Sequence, residues 1–172
     1  MSKLKNYNYD ILILGGGVIG LSIAYYLTKR KKRVLLIEKN KKVGQENSSH
    51  NSAVVHAGIY YKKNSLKSKL SIKGRRLLKY FCYKNKIKYY EIGKLFISDE
   101  QGKKNLLKIL SLGNQNKINN LKIFEKKKIK LIEPNLFADY ALYSPSSAIF
   151  DVKKFIYVLK KKSEYQKLKI KN

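Results

Sequence analysis

The sequence predicts an α/β fold that opens on a β-α-β unit. Three observations carry that prediction. An apolar run at residues 9–14 stops at a cluster of glycines. Gly15, Gly17 and Gly20 then space as G-x-G-x-x-G ahead of a helically patterned stretch. A second apolar run, 34–37, is closed by Glu38.

Each element has a local reason. A short apolar run bounded by turn residues is the pattern of a buried strand. After the glycines, Ile19, Ile23, Tyr26 and Leu27 recur at helical spacing, which predicts a helix over 18–30. The basic residues at 29–33 fall at that helix's C-terminal end, where its dipole favours positive charge. Further on, 65–85 reads as a long helix and 87–98 as one or two strands bent at Gly93. A short amphipathic helix at 105–112 is expected to stop at Gly113-Asn114. Residues 121–133 are mixed and end at Pro134, and 141–144 and 148–150 read as short strands. Asp151 is placed to cap a last helix over 152–162. There is no internal repeat, and the lysine runs at 126–128 and 160–162 read as solvated faces.

Strand, glycine turn, helix, strand and acid together form a dinucleotide fingerprint. Gly15 permits the tight turn, Gly17 lets backbone approach a diphosphate, and Gly20 lets helix and strand pack closely. Gly16 completes the loop. The helix start offers unpaired N–H groups to phosphate. Glu38 can accept hydrogen bonds from a ribose diol and would repel a ribose phosphate. The residues thus disfavour NADP and leave FAD and NAD open.

Composition excludes other classes. With 172 residues and 44% hydrophobic content the chain can bury a real core. Its 39 Lys+Arg against 11 Asp+Glu give a formal charge of +28. Such a balance suggests a polyanion partner, but Lys, Asn, Ile and Tyr are enriched together, as A/T-rich codons would enrich them. The basic residues are spread along the chain instead of gathered on one periodic face, so no specific nucleic-acid partner is expected. A single cysteine, Cys82, rules out an intrachain disulfide or a cysteine-built zinc site and reads as a small core residue. No metal ligand set is expected. Lys3 and Lys5 precede an apolar stretch as in an export signal. Asp10 at its entrance, the central glycines and the absence of a small-residue cleavage site argue against one. No run is long and apolar enough for a membrane span, so the expectation is a cytoplasmic protein.

The segment after Glu38, KNKKVGQENSSHNSAVVHAGIYY, resembles the FAD-dependent oxidoreductases of the D-amino-acid oxidase superfamily. Asp10, Gly15–Gly17 and Glu38-Lys39 match that group's opening. Ser48, Ser49 and Asn51 match residues that lie along the ribityl-phosphate side of the flavin. NSAVVHAGIYY is similar to the hallmark of the L-2-hydroxyglutarate dehydrogenases/oxidases, usually NSGVVHAGIYY followed by Pro-Gly-Ser-Leu-Lys. KGRRLLKYFCYKNKI, IGKLFIS, IEPNL and YSPSSAIFDVKKF follow in family order. Three departures stand out: Ala53 and Ala148 replace family glycines, and Lys63-Asn64 replaces Pro-Gly.

The resemblance implies FAD as cofactor and oxidation of L-2-hydroxyglutarate to 2-oxoglutarate, with electrons passing to an acceptor such as a membrane quinone. A peripheral place on the inner membrane would follow from that acceptor. His56 is implied as the catalytic base, and His50 as a polar contact to cofactor or loop. Residues 1–85 would begin the FAD-binding domain, 86–150 would begin an inserted α+β substrate domain, and 151–172 would be a helix returning to the first. The family implies a much longer protein. The chain therefore reads as an N-terminal half, with the C-terminal half lost or carried on a separate chain, and with an incomplete fold. Alternatives are a related flavoenzyme for an amino acid or glycerol phosphate, an inactive nucleotide-binding fragment, and a basic polyanion binder.

Overall fold

The computed structural model describes residues 8–172, so Lys3 and Lys5 lie outside the described residues. In chain order the elements are β1 (Ile11–Leu14), α1 (Val18–Thr28), β2 (Val34–Ile37), β3 (Val54–Val55), α2 (Leu66–Lys84), β4 (Tyr89–Tyr90) and β5 (Lys94–Ser98). They continue with α3 (Lys103–Gln115), β6 (Lys122–Glu125), α4 (Lys126–Ile132), β7 (Tyr140–Ser144), β8 (Ala148–Phe150), α5 (Val152–Tyr165) and β9 (Lys169–Lys171).

The chain divides into two compact units. The first runs to Ser52 and resumes with Asp151–Asn172; the second is Ala53–Phe150. The sequence reading put this first division near residue 85. Helix α2 explains the difference, because its polar bonds go to the second unit. Ser68 Oγ donates to Asn116 Oδ1 at 2.8 Å, Arg75 Nη1 donates to the Ser146 carbonyl at 2.9 Å, and Lys79 pairs with Glu91 at 2.7 Å.

The first unit is a parallel sheet in the order β1-β2-β9, with α1 and α5 packed together. Asp10 accepts from the Arg33 backbone N–H and side chain, both at 2.8 Å, which ties the two strand starts together. Strand β9 escaped the sequence reading because Lys-Ile-Lys carries one apolar residue. It forms because β2 has a free edge, and the Glu38 N–H donates to the Lys171 carbonyl at 2.9 Å. Asp151 caps α5 as expected, accepting from the Lys154 N–H at 2.8 Å.

The face of α1 expected from spacing is not the face that packs. Gly20, Leu21, Ala24 and Thr28 are buried, whereas Ile19, Ile23 and Tyr26 are exposed. Nearly every residue of α1 is apolar, so periodicity could not select a face. Its small residues allow close approach instead, and Thr28 Oγ1 contacts Gln166 Oε1 at 3.0 Å beyond the end of α5.

The second unit holds two antiparallel sheets, β3-β8-β4 and β5-β7-β6. Its core gathers Ala57, Ile59, Leu106, Ile118 and Leu142, with Ile72, Phe96 and Leu121 against it. Gly113 does not stop α3 as the sequence suggested. It sits inside the last turn of the helix, where a Cβ would collide with Leu121. The helix ends at Gln115, and the chain turns away at Lys117, with φ +57°, where the Ile118 N–H closes back on the Gly113 carbonyl at 3.0 Å. Cys82 is fully buried and its thiol is pushed up to about 11 by that burial, so it is an inert core group.

The departures at family glycines separate cleanly. Asn64 takes φ +62°, a conformation asparagine tolerates well. Ala148 lies in strand β8 opposite Val55, where alanine meets no backbone cost. Ala53 alone combines a β-carbon that resists the left-handed region with φ +56°. That conformation costs an L-residue about 1–2 kcal/mol, against roughly 0.5–1 kcal/mol of extra chain entropy for glycine. Ala53→Gly is therefore expected to stabilise the protein by about 0.5–1 kcal/mol in urea unfolding. Ala148→Gly is expected to destabilise it by about 1 kcal/mol. Equal effects of the two substitutions would contradict this assignment of strain.

Candidate functional site

The sequence places a glycine turn between β1 and α1, and the backbone there requires glycine at positions 15, 16 and 20 for different reasons. Gly15 has φ +99°, and its N–H donates to the Ile37 carbonyl at 2.8 Å. A Cβ on Gly20 would collide with the Gly15 carbonyl oxygen, and one on Gly16 would lie 2.7 Å from Val43 Cγ1. Gly17 is the N-cap of α1 and supplies no side-chain cap. The cap comes from Ser48, whose Oγ accepts from the Val18 N–H at 2.9 Å. The first turn of a helix leaves several N–H groups unpaired, and here one is taken by Ser48.

Glu38 lies behind this turn and is only 5% exposed. Its Oε2 accepts from the Gly16 N–H at 2.7 Å and its Oε1 from the Asn40 N–H at 2.9 Å. The Asn40 bond, aided by those of Gly16 and Lys39, holds its pKa below the ordinary carboxylate value; burial and the charge of Glu46 oppose this. The sequence reading gave Glu38 only a ribose contact. The structure gives it a prior task, fixing the turn and the chain after β2, with spare lone pairs for a diol. Asn40, to which the sequence gave no role, is part of this arrangement.

The rest of the loop is self-contained. Lys39, largely exposed, pairs with Glu46 at 3.0 Å. Ser49 Oγ donates to the Glu46 carbonyl at 3.0 Å, and Asn51 Nδ2 donates to the carbonyls of Asn47 and Ser48. His50 Nδ1 contacts Ser49 Oγ and the Glu46 carbonyl, each at 3.1 Å, so its visible work is to fold this loop. Within the first unit, then, Gly15, Gly16, Gly17, Gly20, Glu38 and Ser48 converge, while the side chains of Lys39, Ser49 and Asn51 serve the loop.

His56 follows β3 in the second unit. Its ring makes no hydrogen bond among the described residues and leans edge-on toward Tyr60, with ring centres 6.3 Å apart. Tyr60 in turn meets Tyr61 at 4.8 Å and Phe96 at 6.1 Å, both edge-on. Partial burial is the first cause that lowers the His56 pKa, and the charge of Lys94 is the second. The imidazole is thus neutral near neutral pH, with a lone pair free to take a proton. Sequence reading did not single out Lys94. The signal available was strand alternation, which sets Lys94 and Phe96 on one face of β5.

Comparisons with known proteins agree with this geometry. A family described as FAD dependent oxidoreductase matches residues 10–171. The L-2-hydroxyglutarate dehydrogenase of Arabidopsis thaliana is 41% identical over 157 residues, covering 90% of this chain and 32% of that protein. The human protein of the same name is 37% identical over 147 residues, covering 84% and 32%. Both are named mitochondrial. The chain thus spans about a third of the length of the curated relatives it matches. Among solved structures, the FAD-bound L-alpha-glycerophosphate oxidase of Mycoplasma pneumoniae superposes with a TM-score of 0.87 at 29% identity, covering 95% of this chain and 44% of that one. Glycine oxidase from Geobacillus kaustophilus, at 22% identity and a TM-score of 0.85, shares the fold.

The buried carboxylate makes stability depend on pH. Because its folded-state pKa is depressed below 4.5, the Glu38 contribution is complete above that value and is lost as pH falls through the lower folded value. Glu38→Gln sets an amide against the two N–H donors and should cost about 1–3 kcal/mol at pH 7. The variant should also lose less stability than the parent between pH 5 and acid. Urea unfolding at several pH values measures both, and parallel pH curves would remove Glu38 from this role.

Proposed function

The chain belongs to the FAD-dependent oxidoreductase family, and from that premise we propose that it serves the oxidation of L-2-hydroxyglutarate to 2-oxoglutarate in the whole protein. The observation that carries this reading is the 35–41% identity, over 83–91% of the chain, to relatives named for that activity. The local geometry supports FAD as the group held. Gly20 has no room for a side chain, Gly17 leaves the helix start open, and Glu38 presents a carboxylate that suits a free ribose diol and repels a phosphorylated one. When bound, FAD supplies the two-electron acceptor.

In this reading the turn at Gly15–Gly17 and the start of α1 hold the diphosphate, and Ser48 keeps the helix start in shape. Ser49, Asn51 and Lys39 are proposed to border the cofactor through the loop they fold. Residues up to Ser52 and from Asp151 would serve the cofactor, and the second unit would serve the substrate. His56 takes the substrate hydroxyl proton as the neighbouring C–H bond is oxidised. Its lowered pKa keeps it in the accepting form at neutral pH. Electrons would leave to an external acceptor, for which a membrane quinone is proposed, with peripheral attachment. Among the described residues no helix is long and apolar enough to cross a membrane.

A second reading has its own support. The likeness to L-alpha-glycerophosphate oxidase favours a phosphorylated secondary alcohol. Turnover of the complete FAD-loaded protein with L-2-hydroxyglutarate and with L-glycerol 3-phosphate decides between them.

His56→Asn is expected to leave flavin content, read from the visible absorption spectrum, unchanged while lowering kcat by a factor of about 100 or more. In the parent, kcat/KM should rise with pH through a value below 6.5 and then level off. Loss of flavin together with rate would assign His56 to structure.

A further inference from the structure

Lys94 is a half-buried lysine on the core-facing side of β5. It shares that face with Phe96, which packs against the core of the second unit. Its ammonium lies 4.6 Å from the centre of the Phe96 ring, and no carboxylate pairs with it among the described residues. The surface lysines of this chain need no partner. A lysine drawn toward the core normally has one, because a desolvated charge is costly when left alone.

The neighbours of Lys94 form a continuous aromatic wall. Phe96 meets Tyr60, and Tyr60 meets His56. Among the described residues Lys94 is also the single charged group that acts on His56, and no acid does; Tyr60 on the same loop stays protonated because burial raises its pKa. Lys67 stands over Tyr61, with Nζ 4.8 Å from the ring centre, and does not act on His56. An unpaired cation, a neutral base and an apolar wall between them make a receptor for a small organic anion that carries a hydroxyl near its charge.

We propose that Lys94 anchors the substrate through the carboxylate bonded to the hydroxyl-bearing carbon, setting that hydroxyl against His56. This rests on the reading of His56 as base. The chemistry balances: the hydroxyl proton goes to the imidazole, the hydrogen on the same carbon leaves with its electron pair to FAD, and the C–O bond becomes a carbonyl. Anchoring also assists the proton transfer. Before substrate binds, the Lys94 charge disfavours an imidazolium. The bound carboxylate offsets that charge, so His56 gains proton affinity as the proton arrives. Specificity follows, since an amide or ester in place of this carboxylate would leave Lys94 unpaired.

Two sets of measurements test the assignment. In the complete FAD-loaded protein, Lys94→Met should raise KM for L-2-hydroxyglutarate about 10- to 100-fold with a much smaller change in kcat, and Lys94→Arg should recover most of it. The acid limb of kcat/KM should move to higher pH in Lys94→Met, because removing the cation lets the His56 pKa rise. Separately from turnover, an NMR titration of the His56 ring should show a higher midpoint in Lys94→Met and no change in Lys67→Met. Added 2-oxoglutarate should raise the midpoint in the parent but not in Lys94→Met. Unchanged KM and an unchanged His56 titration would reduce Lys94 to packing on Phe96 and overturn the proposal. A KM effect confined to L-glycerol 3-phosphate would overturn the carboxylate assignment. If His56→Asn keeps full kcat, the base assignment fails, while the KM change in Lys94→Met still tests the anchor.

Discussion

The first unit depends on one buried carboxylate. Glu38 ends β2, yet its two oxygens hold backbone on both sides, Gly16 in the turn after β1 and Asn40 in the loop after β2. A buried ionised group is costly unless hydrogen-bonded, and two backbone donors meet that need. The same bonds fix the glycine turn at the height of the β2 terminus. With the turn fixed, the Gly16 carbonyl accepts from the Gly44 N–H at 3.0 Å and Ser48 reaches the start of α1. The anion-binding end of α1 is therefore shaped by contacts made before any ligand arrives, which is preorganisation in its simplest form.

The second unit is organised by apolar contact, with its chemistry set at the margin of the core. Ala57 and Ile59 are core residues, while His56 and Tyr60, which alternate with them, face outward. One short run of chain thus anchors itself and displays an imidazole. Strain at Ala53, just before it, falls where the chain passes from the first unit to the second. Residues held in sparsely populated conformations concentrate near functional segments.

The charge of +28 is carried mostly by exposed lysines, and the ion pairs among the described residues are surface pairs between partly exposed side chains. Such pairs contribute little to stability. Lys94 differs through its position. It is half-buried, faces the core side of its strand and has no acidic partner among the described residues, which composition alone cannot reveal.

The sequence by itself determined the β-α-β opening, the glycine turn, the cap at Asp151, and the family. These are local signals, read over a few residues, and each acts through backbone geometry close to where it is written. Tertiary structure decided the rest. It chose the Leu21 and Ala24 face of α1 over the Ile19 and Ile23 face, because α5 arrives from more than a hundred residues away. It recruited Lys169–Lys171 as a strand, because β2 offered an edge. It carried α3 past Gly113 to Gln115, with the glycine leaving room for Leu121. It set Lys94, from a strand nearly forty residues on, at the end of the Phe96 and Tyr60 wall that leads to His56. Periodicity specifies that an element forms; which face is buried, and which side chains gather at its margin, depends on partners that only the folded chain supplies.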